Sequence, residues 1–274
     1  MHPRLRKTKF KTLNLLVTLS LAACFILPGR VQAKPLVCST PPSLMLHANF
    51  GLIQMRELAD AIQANGLQTF TYRQVADLYD QGLCPPENAI LVSLDDLGTR
   101  WLRLDFKQMI EIFTDRGLTL TVGVVTGVGS QPEENWAYLK EIDSLGIEIA
   151  SHSARHLNPN KVSQDYIRDD VSLSYNTIAE YLGKPPSTYI LPGGNGFDNV
   201  FLLQQLQTKY RSVVSIHAPN TYSGELLLFR RIPPLEGSQF NLPWYLKNNF
   251  PWQFHAKLAL PNKPRIRACQ PVTE

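Results

Sequence analysis

Between residues 43 and 216 short apolar runs alternate with amphipathic stretches, and the apolar runs close on polar or turn residues. Strands of this kind are buried on both faces, so the chain reads as an α/β protein: a mostly parallel sheet with helices packed outside, expected to be barrel-like. Strands are predicted over 43–47, 89–94, 119–125, 147–150, 188–191 and 212–216. Apolar residues at helical spacing predict helices over 55–64, 72–79, 106–113, 136–145, 166–182 and 200–206. Gly66, Gly117, Gly146 and Gly183 stand just past the ends of four of them, where a left-handed residue closes a helix.

The first 33 residues read differently. Arg4, Arg6, Lys7, Lys9 and Lys11 precede an apolar stretch over 13–27, and Val31-Gln32-Ala33 offers a small-residue cleavage site. The stretch is shorter than the roughly 20 residues that span a bilayer and contains Asn14, Thr18 and Ser20, which argues for a signal peptide over 1–33 rather than an anchor. The expectation is an exported protein, periplasmic, cell-surface or extracellular in a bacterium, with one domain over 34–274. Leu21-Ala22-Ala23-Cys24 also resembles a lipoprotein box, which would place a lipid anchor at Cys24. Six of the 27 basic residues and none of the 23 acidic ones lie in the leader, so the remainder carries a formal charge of −2 in place of +4. The basic character therefore implies no nucleic-acid partner. Cys38, Cys84 and Cys269 are too widely spaced for a thiolate metal site and permit one disulfide. Cys38 with Cys269 could staple the termini, but all three pairings remain open.

Polar residues gather at the predicted strand ends: His47 ends the first, Asp95-Asp96 follow the second, His152 follows the fourth, and Pro192-Gly193-Gly194 follow the fifth. In parallel β/α folds those ends share one rim, where the chemistry is done. Two adjacent carboxylates there cannot both be buried without compensation, and His152-Ser153-Ala154-Arg155-His156 places two imidazoles four residues apart. Two histidine nitrogens and one carboxylate oxygen form a three-ligand divalent-metal site with positions left for water and substrate, and the second carboxylate can then accept a proton. There is no Glu beside His152, as a metalloprotease helix requires, and no Gly-x-Ser-x-Gly elbow.

These motifs resemble those of the polysaccharide deacetylases of the NodB-homology type, carbohydrate esterase family 4. Ser93-Leu94-Asp95-Asp96 is similar to the family's Thr-Phe-Asp-Asp, His152 to His156 meet its His-Ser/Thr-x-x-His, and Leu191-Pro192-Gly193-Gly194 is similar to its third motif. The resemblance implies a distorted or incomplete (β/α) barrel, with Asp95 as general base, Asp96, His152 and His156 as ligands of zinc (or nickel or cobalt), and the Gly193 amide as oxyanion donor. In the poly-N-acetylglucosamine branch the acid lies in a Met-Tyr-His strand, which Met45-Leu46-His47 resembles; His47 is thus the expected acid and His217 the second choice, with His255 expected to be an ordinary surface or packing residue.

The sequence departs from the family at Leu97, where a glycine is usual, at Ser93-Leu94, and at Gly193, where an aromatic is usual. The arginine that commonly precedes the third-motif proline and orients the base has no equivalent among Tyr189, Ile190 and Leu191. Arg230-Arg231-Ile232-Pro233 resembles a late structural stretch of the same branch and is given no chemistry. Trp101, Trp136, Phe197 and Tyr222 are candidates for stacking on sugar rings, though most are expected to pack between helices. The implied activity is metal-dependent removal of N-acetyl groups from an extracellular or cell-wall polysaccharide containing N-acetylglucosamine. The alternatives are an O-acetyl esterase on xylan or peptidoglycan, and a catalytically weak carbohydrate-binding scaffold, which the missing arginine would favour. Oligomeric state is left open.

Overall fold

The computed structural model describes residues 37–129, 131–217, 220–223, 226–232 and 257–259, all within one compact unit. The predicted leader, Cys24, Cys269 and His255 lie outside the described residues. The apolar runs form β2 (Ser43–Leu46), β4 (Ala89–Gly98), β5 (Thr121–Val125), β6 (Glu148–Ser151), β7 (Thr188–Ile190), β8 (Ser212–Ser215) and β10 (Leu226–Arg230), hydrogen-bonded in that order and all parallel. The ends of this sheet meet. Ile232 bridges Leu44, with Met45 N–H donating to the Ile232 carbonyl and Ile232 N–H to the Ser43 carbonyl, both at 3.0 Å. The result is a nearly closed, distorted (β/α) barrel. Three short strands lie off it or at its margin: β1 (Val37–Ser39) pairs with β11 (Lys257–Ala259), β3 (Gln68–Phe70) pairs with β4, and β9 (Thr221–Ser223) pairs with β10.

Helices α1 (Leu52–Ala64), α3 (Leu104–Thr114) and α4 (Glu133–Ser144) bury their apolar stripes against one flank, and α5 (Gln164–Leu182) and α6 (Val200–Gln207) cover another. The ends follow local rules: Ser163 Oγ accepts the Tyr166 N–H at the start of α5, and Gly183 closes it at φ 72°. Helix α2 (Tyr72–Asp80) begins with a Thr71–Gln74 capping box. Its Tyr72, Val75 and Tyr79 pack with Leu91, Ala150, Ile190, Val214 and Phe229, one residue from each of five barrel strands, and so fill the barrel from its N-terminal end. Fully buried Glu148 anchors that plug, accepting from Arg73 N–H (3.0 Å), Thr121 Oγ1 (3.0 Å) and Thr188 Oγ1 (2.6 Å).

Two expectations change. The disulfide joins Cys38 to Cys84, with Cα atoms 5.2 Å apart, so the proposed terminal staple through Cys269 is not formed by Cys38. The bridge ties β1 to the segment after α2, and β1 precedes β2, the strand that His47 follows. Closing a 46-residue separation constrains the unfolded chain by about 4 kcal/mol in the loop-entropy view. Removing both cysteines as Cys38→Ala/Cys84→Ala is expected to lower the melting temperature by roughly 8–16 °C for a domain of this size. Equal melting of the variant and the parent in a thermal scan would count against that role. Second, the strand predicted to stop at Leu94 runs on to Gly98 and takes both aspartates into the sheet.

Candidate active site

Adjacent side chains on a regular strand point to opposite faces, yet Asp95 and Asp96 both serve the barrel mouth. An irregularity in β4 resolves this. Leu94 pairs with Val122 and Leu97 with Val124, so the two aspartates stand opposite the single residue Gly123. Asp96 takes a left-handed backbone, φ 64°, and its half-exposed carboxylate turns toward the rim, whereas Asp95 is buried inside, 1% exposed. Gly123 leaves room for the pair: a Cβ there would lie 3.3 Å from Asp95 Oδ1, 3.4 Å from His152 Cβ and 3.1 Å from Ile190 Cδ1. Gly123→Ala should therefore displace Asp95 and His152 and lower kcat/KM about tenfold or more, since small misplacements at a reacting centre are costly. Unchanged steady-state kinetics of that variant on a glycan substrate would refute the crowding argument.

The histidines come from the end of β6 and the loop behind it. His152 N–H donates to the Val124 carbonyl (2.8 Å), and His152 Nδ1 stands 2.9 Å from the Ile190 carbonyl. A carbonyl only accepts, so Nδ1 carries the proton and Nε2 presents its lone pair. The following residues turn sharply, with Ser153 at φ 65° and His156 at φ 52°. Ser153 Oγ accepts the His156 N–H at 2.8 Å, which brings the second imidazole back beside the first. Among the described residues, Asp96, Ser153 and His156 are the only non-glycine residues with positive φ, so backbone strain is concentrated at this one cluster.

The three polar ends converge. Asp96 Oδ1 lies 3.2 Å from His152 Nε2 and 3.0 Å from His156 Nε2, and the two nitrogens are 3.1 Å apart. Tetrahedral donors at about 2.0–2.2 Å from one zinc ion stand roughly 3.3–3.6 Å from each other, so these three donors, 3.0–3.2 Å apart, need open by only a few tenths of an ångström to hold a divalent ion. Without a cation the same crowding must be relieved by protons. Hydrogen bonds from His152 and His156 hold the Asp96 carboxyl far below its ordinary range, and the bond to Asp96 raises His156.

An arginine does stand against Asp95, but it comes from elsewhere than the third motif. Arg231, directly after β10 at the closing seam of the barrel, is 1% exposed; its Nη1 donates to Asp95 Oδ1 (2.6 Å) and Ser93 Oγ (2.8 Å), and its Nη2 lies 2.5 Å from Asp95 Oδ2. Burial alone would raise the Asp95 pKa, but the Arg231 charge, and after it His152, outweigh burial and hold the carboxyl below its ordinary value. Arg231, read from sequence as structural, is thus the direct partner of Asp95. Ser93 fits here because a small hydroxyl can accept from Arg231 while donating to the Leu44 carbonyl at 3.2 Å.

Around this centre lies an open cavity of about 470 Å³ lined by His47, Asn49, Asp96, Arg103 and Phe106. His47 follows β2, with Nε2 3.8 Å from Asp96 Oδ2. His217 follows β8 and faces the Phe197 ring, 6.3 Å between centroids, beside the turn at Gly194. Gly193 is exposed in the short turn Pro192–Gly194, at φ 58°, and the turn is closed by Gly194 N–H to Leu191 and Asn195 N–H to Pro192. Trp136 is fully buried and stacks on Tyr181 at 4.6 Å, which makes it a packing residue and ends its candidacy for sugar stacking. Trp101 is 81% exposed in the segment after β4 and is free to meet a ligand.

A carboxylate–imidazole cluster at the mouth of a parallel barrel marks the class, a β/α-barrel hydrolase. Residues 82–213 match the family model described as polysaccharide deacetylase. The fold is similar to that of the Streptococcus pyogenes deacetylase PplD, solved with acetate, at 16% identity and a TM-score of 0.56, over 73% of this chain and 93% of that one. It is also similar to IcaB from Ammonifex degensii (15% identity, TM-score 0.56, 72% and 94% of the two chains). The deacetylase domain of BpsB from Bordetella bronchiseptica is a third such structure (17% identity, TM-score 0.53, 70% and 96%). No curated protein matches the sequence.

Proposed function

We propose that this deacetylase is a metal-dependent enzyme that removes N-acetyl groups from a polysaccharide containing N-acetylglucosamine, outside the cytoplasm. The observation that carries the reading is the convergence of Asp96, His152 and His156 within 3.2 Å of one another, beside a buried Asp95 paired with Arg231. A zinc or similar divalent ion held by those three residues would supply Lewis-acid polarisation of the acetyl carbonyl and of the attacking water. Asp95 takes the proton from that water as it adds to the carbonyl carbon; its depressed pKa keeps it ionised for the task, and Arg231 fixes its direction. The exposed Gly193 N–H donates to the developing oxyanion. His47, on the cavity wall, protonates the leaving nitrogen as the C–N bond breaks and acetate is released; its position there supports it over His217, which packs toward Phe197. Arg231 also supports catalysis over a mere scaffold, because it answers the want of an orienting arginine. The leader-like sequence over 1–33 supports export.

The test is acetate release from N-acetylglucosamine oligomers, with acetylated xylan as the competing substrate, by the purified protein with and without a chelator. Release from the oligomers that stops on chelation and returns with added zinc or cobalt is expected, and His47→Ala should lower it about 100-fold or more. Metal-loaded protein that releases acetate from neither substrate would overturn the reading, and release from xylan alone would replace it with the esterase.

A further inference from the structure

The sharp turn between His152 and His156 is not self-sufficient. Two of its residues are held left-handed, a conformation that L-residues with side chains adopt at a cost, so something outside the turn must favour it. Its carbonyls are engaged from β5's side: Thr126 N–H donates to Ser153 (3.3 Å) and Gly127 N–H to Ala154 (2.7 Å). On the opposite side a buried acid on α5 takes the donors. Asp170, 7% exposed, accepts the Ala154 N–H on Oδ2 at 3.2 Å and Arg155 Nη1 on Oδ1 at 3.3 Å. Arg155 is itself laid over the Tyr166 ring at 4.8 Å, so its fork is held in place for that contact. Both bonded residues lie between the two imidazoles. Burial raises the pKa of Asp170, which means that its charge is kept in an environment unfavourable to it, against the pull of Ala154 N–H and Arg155.

We propose that Asp170 is a positioning residue for the metal site: through Ala154 and Arg155 it sets the turn that aims His152 Nε2 and His156 Nε2 at one point. Helix α5 thereby becomes part of the site's framework, although no atom of Asp170 belongs to the donor cluster. The inference rests on the reading of Asp96, His152 and His156 as metal ligands. Loss of an outer partner of this sort lowers metal affinity by about 10- to 100-fold.

Cobalt(II) titration of the metal-free protein, followed by visible absorption and by competition with a chromophoric chelator, tests it in the parent, Asp170→Asn and Asp170→Ala. Asn keeps the shape and one acceptor but not the charge, so Asp170→Asn should need about tenfold more cobalt for half-saturation and Asp170→Ala more still, toward 100-fold. The cobalt absorption should change as His156 loses its fixed direction, while acetate release at saturating cobalt returns to within a few-fold of the parent. Near-UV circular dichroism establishes that each variant is folded, and Asp170→Asn decides alone if the alanine variant is not. Titrations and spectra that coincide with the parent's would show that Asp170 only packs α5, and leave the metal reading standing. A parent that binds no cobalt overturns that reading and this inference together.

Discussion

Asp95→Asn is expected to cut acetate release by about 1,000-fold while leaving the bound metal at the parental level. The two effects separate because Asp95 does not belong to the three-atom cluster: its Oδ2 is 3.9 Å from His152 Nε2, whereas Asp96 Oδ1 is within 3.2 Å of both histidines. Asn preserves the volume and one acceptor for Arg231, so the folded variant keeps the pocket's shape and loses the group that takes a proton, although Arg231 is left without its counter-charge and the variant is less stable. Asp96→Ala should do the reverse first, reducing metal content and, through it, activity. Metal analysis on the two purified variants, alongside acetate release, distinguishes the roles. A metal-depleted Asp95→Asn, or one that retains a tenth of parental turnover, would show that the two aspartates have been assigned to the wrong tasks.

The residues of the cluster could be read from sequence because each stands next to a strong local signal. Ile90-Leu91-Val92 ends on Asp95-Asp96, and Ile147 to Ala150 ends on His152, so the strand pattern alone brings them to one rim. What the pattern could not carry is how two neighbouring aspartates share it. That depends on Gly123, a residue of another strand, and on a positive φ at Asp96 that nothing in Leu94-Asp95-Asp96-Leu97 announces. Arg231 was hidden for a related reason. Its function arises from barrel closure, which pairs residues near 44 and 232 and is invisible to any local window. A signal did exist: Leu226-Leu227-Leu228-Phe229 is a buried-strand run ending on a polar residue, as the other strands do, and it marks Arg230-Arg231 as rim residues. The disulfide was equally non-local, since Cys84 reaches Cys38 only after α2 has folded back across the barrel. The fold thus followed from periodicity, and the site's wiring from contacts between distant segments.

Arg231→Met carries the largest expected cost to the fold. An exposed salt bridge is worth little, but this pair is 1% exposed on both sides, and removing one partner leaves a buried carboxylate with its charge uncompensated. Such breaks cost about 3–5 kcal/mol, which for a single domain is a large share of the total stability. The sign of the pH dependence follows. In the parent, Arg231 holds the Asp95 pKa below 3.8, so the pair stabilises the fold at neutral pH and that contribution is lost only as pH falls below the usual carboxylate range. In the variant, desolvation is left to dominate and the pKa of Asp95 rises; the folded state must then take up a proton that the unfolded state does not hold at pH 7. The deficit relative to the parent should therefore be greatest near neutrality and shrink as the pH is lowered toward that of an ordinary aspartate. Asp95→Asn/Arg231→Met, with no charge to bury, should recover part of the loss, because the penalty belongs to the unpaired ion and not to the missing arginine alone. Denaturant unfolding of the parent, both single variants and the double variant at pH 7 and pH 5 measures each of these differences. A deficit for Arg231→Met that is independent of pH and additive with Asp95→Asn would mean that Arg231 only fills space in the barrel and does not hold the base in its charged form.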